Sequence, residues 1–244
     1  MSLEQFLNEM ANIEQSILDF IEDDTEENLQ NLINILEELK ISVNQHKLKL
    51  FLRLLLKISS NHHHCTNFYN NIEKIFNIFR NQIQQYYSNS ELFDVFKSNK
   101  RILLYLIKEK LLVFDNYIAQ NIMTTSKYIT AKYPQYFSPE LRPFLNEEWA
   151  TKIDKDLIDE INSELPSDFE DNREIGANHN YICRMIQKDL VKEFDEYINK
   201  TNCSLYTKIM PSIYETTNFL LKKYSSNTMR LIEYTALFGS IQIF

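Results

Sequence analysis

Apolar residues recur at threes and fours along nearly the whole chain. Leu3, Phe6, Leu7, Met10, Ile13, Ile17 and Ile21 fall on one side of a helix, and Leu29, Leu32, Ile33, Leu36 and Leu39 form a second stripe. Between them, "EDDTEEN" is a polar turn in which Asp24 is placed to cap the next helix and Glu27 to complete a capping box. "LKLFLRLLLKI" is apolar on nearly every side except at Arg53 and the lysines, which predicts a central helix surrounded by neighbours. Phe68, Ile72, Ile75, Phe76, Phe79, Ile83 and Tyr86 make another stripe, and "SNSELFDVF" and "NKRILLYLIKEKLLVFDNYI" predict further helices capped by Ser90 and Asn99. Pro134, Pro139 and Pro143 then break the pattern, because proline lacks the amide hydrogen a helix interior uses; the aromatics around them are expected to pin an irregular segment to the body. Ile153, Leu157, Ile158, Ile161 and Leu165 mark one more helix. The acidic stretch "PSDFEDNREIGANHN", residues 166–180, has few apolar positions and reads as a linker. Beyond it, "YICRMIQKDLVKEFDEYI" predicts a short helix, a turn capped by Asp189, and a second helix with Leu190, Val191, Phe194, Tyr197 and Ile198 on its apolar side.

Composition strengthens the helical reading. Of 244 residues only Gly176 and Gly239 are glycine, whereas sheets and phosphate loops lean on glycine for positive φ. The expected fold class is therefore all-α, with serine and asparagine making most turns. The net charge of -8 conceals segregation: residues 1–44 hold 1 basic and 11 acidic side chains, residues 45–135 hold 13 and 5, residues 136–174 hold 4 and 12, and residues 175–244 hold 8 and 6. Blocks of opposite sign in one chain pair with each other, and no RNA-binding or zinc-finger signature accompanies the basic block, so nucleic acid is not an expected partner. Cys65, Cys183 and Cys203 lack CxxC spacing, and the N-terminus "MSLEQFLNEM" lacks the basic start and apolar core of a signal peptide. No stretch approaches the roughly 18 apolar residues of a membrane span. The expectation is an intracellular, cytoplasmic protein with reduced thiols and no membrane partner.

Chemistry-bearing constellations are few. "NHHHC", residues 61–65, offers three histidines and a thiol, but consecutive side chains diverge and no second ligand pair lies elsewhere, so no metal site is expected. "DKDLIDEINSE" from Asp154 has Ile158 and Leu165 where a calcium loop needs oxygen ligands, and reads as a solvated helix face. No P-loop, GxGxxG, GxSxG or HExxH occurs. Neither catalysis nor a cofactor is expected.

Two short antiparallel helices joined by a tight turn are the repeating unit of an ankyrin solenoid. Laid on the signature T-P-L-H-x-A-A-x-x-G, "RLIEYTALFG" resembles an ankyrin repeat, with Ile232 at the buried leucine, Thr235 and Ala236 at the two small positions, and Gly239 at the inter-helix turn. Arg230, Leu231 and Glu233 replace the threonine, proline and histidine. More widely, "LLLKISSNHHHCTNF", "FKSNKRILLYLIKEK", "KYPQYFSPELRPF", "NYICRMIQKDLVKEFDEYINKTN", "PSIYETTNFLLKK" and "LIEYTALFGSIQIF" are similar to a family of protist ankyrin-repeat proteins expanded in trichomonads. The resemblance implies an N-terminal helical domain over residues 1–165, the linker 166–180, and ankyrin-like helix pairs over 181–244 that start an α-solenoid and stop inside a repeat. It also implies a non-catalytic scaffold that binds proteins, with Asp189, Phe194, Ile232, Thr235, Ala236 and Gly239 as its repeat-building residues. The alternative is a helical structural module that self-associates through its C-terminal repeat edge.

Overall fold

The computed structural model describes residues 3–61, 68–124, 133–176, 178, 180–210, 212–215, 229–240 and 242–243. The fold is all-α: a pair of two-residue strands is the only sheet among the described residues. Two compact units divide the chain, Met1–Phe96 and Lys97–Phe244. The boundary expected near residue 165 therefore falls inside the second unit.

In the first unit, α1 (Leu3–Glu22) packs on α2 (Glu26–Glu38) and on α4 (Phe68–Ile78), while α3 (Gln45–Asn61) packs on α4 and on α6 (Asn89–Phe96); α5 (Arg80–Tyr86) joins the last two. The predicted stripes supply the core: Ile13, Ile17 and Ile21 of α1, Leu32 and Leu36 of α2, and Phe51 and Leu55 of α3 are all buried. Asn71, buried on α4, donates from Nδ2 to the Phe20 carbonyl at 3.3 Å and so satisfies one of the orphan acceptors at the end of α1. The cap of α2 is Thr25, whose hydroxyl accepts from the Asn28 N–H at 3.2 Å, not Asp24, which pairs instead with Lys74 at 2.6 Å. Ser88 rather than Ser90 opens α6, through a reciprocal box in which its N–H donates to Glu91 Oε2 at 3.0 Å.

The second unit is built around α7 (Lys100–Lys108), whose residues from Lys100 to Leu106 are all buried. This helix, and not "LKLFLRLLLKI", is the one enclosed on every side: α3 leaves Arg53 and Lys57 in solvent and three leucines half-buried. Asn99 caps α7 as expected, accepting from the Ile102 N–H at 3.1 Å. There follow α8 (Asn116–Thr124), α9 (Tyr133–Tyr136), α10 (Ser138–Leu141), two 3₁₀ turns (Arg142–Phe144 and Glu148–Lys152) and α11 (Lys155–Asn162). The proline segment is thus a chain of short helices rather than an irregular loop. Pro139 and Pro143 sit in first turns, where a missing N–H costs no helical bond. Tyr133, Tyr136 and Phe137 point into the core beneath them.

The stretch read as a linker holds a helix. α12 (Phe169–Ile175) buries Phe169, Asn172 and Arg173 and packs against α7. Its acidity misleads because the carboxylates serve basic partners: Glu170 and Glu174 pair with Lys108, and the Glu174 carbonyl accepts from Arg101. The chain continues through α13 (Tyr181–Gln187), α14 (Val191–Thr201), β1 (Lys208–Ile209), β2 (Met229–Arg230) and a closing helix, Leu231–Phe238. The strands pair antiparallel, Lys208 opposite Arg230 and Ile209 opposite Met229.

With two glycines the chain makes its left-handed turns mainly from other residues. Lys40, Lys110 and Asp189 adopt φ of 54°, 57° and 50°, and Gly239 adopts 63°. Each ends a helix in the same way. The next residue donates its N–H five residues back, as Ile41 to Leu36 (3.0 Å), Leu111 to Leu106 (2.9 Å), Leu190 to Met185 (2.9 Å) and Ser240 to Thr235 (3.2 Å). These are Schellman closures, which glycine makes without Cβ strain. Lys40→Gly and Lys110→Gly are therefore each expected to raise stability by about 0.5–1 kcal/mol, the part of the left-handed penalty that survives glycine's extra unfolded-state entropy. Urea unfolding midpoints check this, and an unchanged or lowered midpoint would show that the lysine stem contributes more than its backbone strain costs.

Candidate functional site

Polar groups inside the second unit gather around α12, α13 and the turn at residues 212–215. Arg173 is fully enclosed, and its guanidinium forks onto Glu140 at 2.7 and 2.9 Å, reaches Glu170 at 2.8 Å, and donates to the Tyr136 carbonyl at 3.0 Å. The Tyr136 hydroxyl returns a bond to the Arg173 carbonyl at 2.9 Å. Burial works against the charge of Arg173, and the two carboxylates more than offset it, raising its affinity for the proton.

A second network centres on Glu215, which is 1% exposed. One carboxylate oxygen accepts from the Tyr234 hydroxyl and the other from the Ser212 N–H at 2.6 Å, while Tyr234 in turn accepts from Gln187 Nε2 at 2.8 Å. The Ser212 hydroxyl accepts from the Tyr214 N–H at 3.2 Å, so "SIYE" closes as a capping-box pattern whose glutamate is buried. Lys100, 1% exposed, donates its ammonium to the Ile213 carbonyl and lies 4.8 Å from the centre of the Tyr136 ring. Burial pushes Glu215 above the usual carboxylate range, against the pull of Tyr234, the Ser212 N–H, Asn178 and the Lys100 charge. Burial and the neighbouring Glu215 also push Tyr234 and the Cys183 thiol upwards. A thiol so held stays protonated and is a poor nucleophile. The network joins α7, α13 and the closing helix to the 212–215 turn.

Beside it opens a cleft of about 750 Å³, walled by Ile182, Tyr197, Ile209, Met210 and Tyr214 and polar at Asn172 and Asn178. Arg184 orders both asparagines, donating to Asn172 Oδ1 at 2.6 Å and to the Asn178 carbonyl at 3.2 Å. Asn178 Nδ2 reaches the Met210 carbonyl at 3.4 Å. Asn172 is 3% exposed, and its Nδ2 has no partner among the described residues. The bond from Arg184 settles which amide atom is the oxygen.

The residues expected to build repeats take varied positions. Phe194 is buried, and Thr235 is buried with its hydroxyl on the Leu231 carbonyl at 2.9 Å. Gly239 closes the helix with positive φ and has nothing within 4 Å of a built Cβ, so conformation rather than space calls for glycine there. Asp189 shapes its turn by left-handed backbone, not by capping: α14 has no side-chain cap, and Asp189 Oδ1 is itself without a partner. Ile232 is half-buried and Ala236 exposed; the enclosed side chain of this turn is Leu231. Glu233 closes the first turn of this helix, its carboxylate accepting from the Arg230 N–H at 2.8 Å. Residues 62–65 of "NHHHC", and Ile241 and Phe244 of the C-terminal run, lie outside the described residues, among which no group of three metal-ligating side chains and no helix long and apolar enough to cross a membrane occurs. The acidic face from Asp154 lies in solvent, with Ile161 alone buried on α11.

Sequence reasoning passes over Arg173, Glu215, Asn172 and Asn178. Ser212-x-x-Glu215 is a legible capping signal, but nothing local distinguishes a buried carboxylate from a solvated one. The chain matches no family model, no curated protein and no solved structure.

Proposed function

We propose that this protein is a non-catalytic, protein-binding scaffold of the ankyrin-repeat type. The observation that carries the reading is the packing of the closing helix beside α13, each ending in the same left-handed Schellman turn, with α14 running back from the first of them. Side-by-side first helices with identical closures are what neighbouring repeats require. The likeness of "RLIEYTALFG" to the ankyrin signature supports it from the sequence side. Recognition in such a scaffold falls on exposed turns, and here Tyr206, on the turn before β1, is 66% exposed with the Arg230 guanidinium 5.8 Å from its ring centre.

Cross-linking in cell extract, followed by titration of the recovered partner with purified chain, tests the proposal. Saturable one-to-one binding, weakened at least tenfold in Tyr206→Ala, is the expected result. A chain that yields no partner and sediments as a concentration-dependent dimer supports the self-associating module instead and overturns the scaffold.

A further inference from the structure

A groove of about 530 Å³ runs between α1 and α2 in the first unit. Contacts across the hairpin fix its two ends. Near the turn, the Asn28 side chain donates to the Asp19 carbonyl at 3.3 Å; at the far end, the Lys47 ammonium stands 4.0 Å from Glu9 and donates to the Leu39 carbonyl at 2.9 Å. Asp19 lines the first end, Glu9 and Glu38 the second, and no basic side chain lines the groove among the described residues. Along α1, Asp19 and Glu9 lie about 15 Å apart. Lys47 offsets one of the three carboxylates, which leaves two negative charges over. Asp19 accepts one bond, from Gln15 at 2.7 Å, and Glu38 none among the described residues.

Ser16 is the one buried side chain of this lining, at 8% exposure. A helical serine can return its hydroxyl to the carbonyl four residues back, as Ser60 does to Leu56 at 2.9 Å. Ser16 makes no such bond. Its Oγ has no partner among the described residues and is not sealed from solvent, and the groove is the space it lines.

We infer that this groove binds a linear aliphatic polyamine of the size and charge of spermidine. The inference goes beyond the scaffold reading and does not depend on it. One terminal ammonium pairs with Asp19 and the other with Glu38, an inner ammonium donates to Ser16 Oγ, and the methylenes lie against the half-buried Ile35 and Leu39. A polyamine carries donors only, which suits unmet carboxylates and a free hydroxyl. Its length lets one molecule serve carboxylates too far apart for a compact cation, and no three metal-ligating side chains converge among the described residues. A docked helix needs an apolar stripe, whereas Ile35 and Leu39 are the only apolar side chains lining the groove. Lys47 displays the same chemistry in the chain itself, an alkylammonium set between a carboxylate and a carbonyl.

Calorimetric titration of the full chain at low salt tests this, with spermidine as probe and hexaamminecobalt as a compact cation of equal charge. Expected are one spermidine per chain, bound roughly tenfold tighter than the cobalt complex, and NMR amide shifts centred on residues 12–19 and 31–39. Asp19→Asn with Glu38→Gln should weaken binding roughly tenfold and Ser16→Ala roughly threefold. Glu26→Gln with Glu27→Gln makes the same charge change on exposed positions of α2 outside the groove, and should alter binding less than about twofold. Absence of saturable binding, equal affinity for the two cations, or equal weakening by the outside pair would reduce the effect to diffuse counter-ion attraction and overturn the inference. So would a trilysine peptide that binds more tightly than spermidine, since the groove would then belong to the lysines of a protein partner. If the Asp19, Glu38 variant loses helical content by circular dichroism, Ser16→Ala and the comparison of cations still decide.

Discussion

Replacing Arg173 with alanine is expected to lower the stability of the second unit by about 3–5 kcal/mol, the cost of stranding a buried ion pair. The side chain is 2% exposed and its main partner Glu140 only 15%, so removing the guanidinium leaves a carboxylate with little access to water. Glu170 contributes less, because at 51% exposure solvent already screens it. Tyr136 and Phe169 also lose a guanidinium 5.7 and 5.3 Å from their ring centres. Lysine should not rescue the site, since a point charge cannot reproduce the fork onto Glu140. Urea unfolding of Arg173→Ala and of the double variant with Glu140→Gln separates the terms. The double variant should be the more stable of the two, because it no longer buries an unpaired charge; the reverse order would show that Arg173 acts through packing alone.

The second large effect is at Glu215. Glu215→Ala removes the acceptor of the Ser212 N–H and of the Tyr234 hydroxyl, for about 2–4 kcal/mol if each buried group loses its usual share. Glu215→Gln keeps one acceptor and the volume and should cost less. The pH dependence separates charge from hydrogen bonding. Burial raises the folded-state pKa of Glu215 above its ordinary value near 4.5. Its contribution is therefore fully present below that value, and it is lost as pH climbs through the raised folded value. The advantage of wild type over Glu215→Gln should be largest in acid and shrink towards neutrality. Glu174 works in the opposite sense: its hydrogen bond to Lys108 lowers its pKa, so its contribution is present at neutral pH and fades as the solution is acidified. Because both variants retain Glu174, the difference curve reports Glu215 alone. A gap that widens with rising pH would mean that Lys100 and the hydrogen bonds outweigh burial.

The amino-acid sequence by itself determined the helices and their inward faces. Periodicity is a local property, and a stripe such as Ile13, Ile17 and Ile21 can be buried in only one orientation, whatever it meets. Asn99 as a cap and the positive φ at Gly239 were legible for the same reason, since both are settled within one turn of backbone. Which polar side chains go inside was not local. "EDNREI" reads as a solvated linker, and it becomes a packed helix only because Glu140 lies 33 residues before Arg173 and Lys108 lies 66 before Glu174. Lys100 and Glu215 likewise have the composition of surface residues; Lys100 finds its acceptor on Ile213, 113 residues on, and Glu215 its donor on Tyr234, 19 residues on. Turns divided between the two levels. Lysine at residues 40 and 110 has no intrinsic preference for left-handed backbone, and the packing of Ile41 and Leu111, both buried in the core, holds it there. The edge of β1 exists only once a strand pair separated by some twenty residues has closed, because strand pairing is a property of surroundings and not of any residue alone.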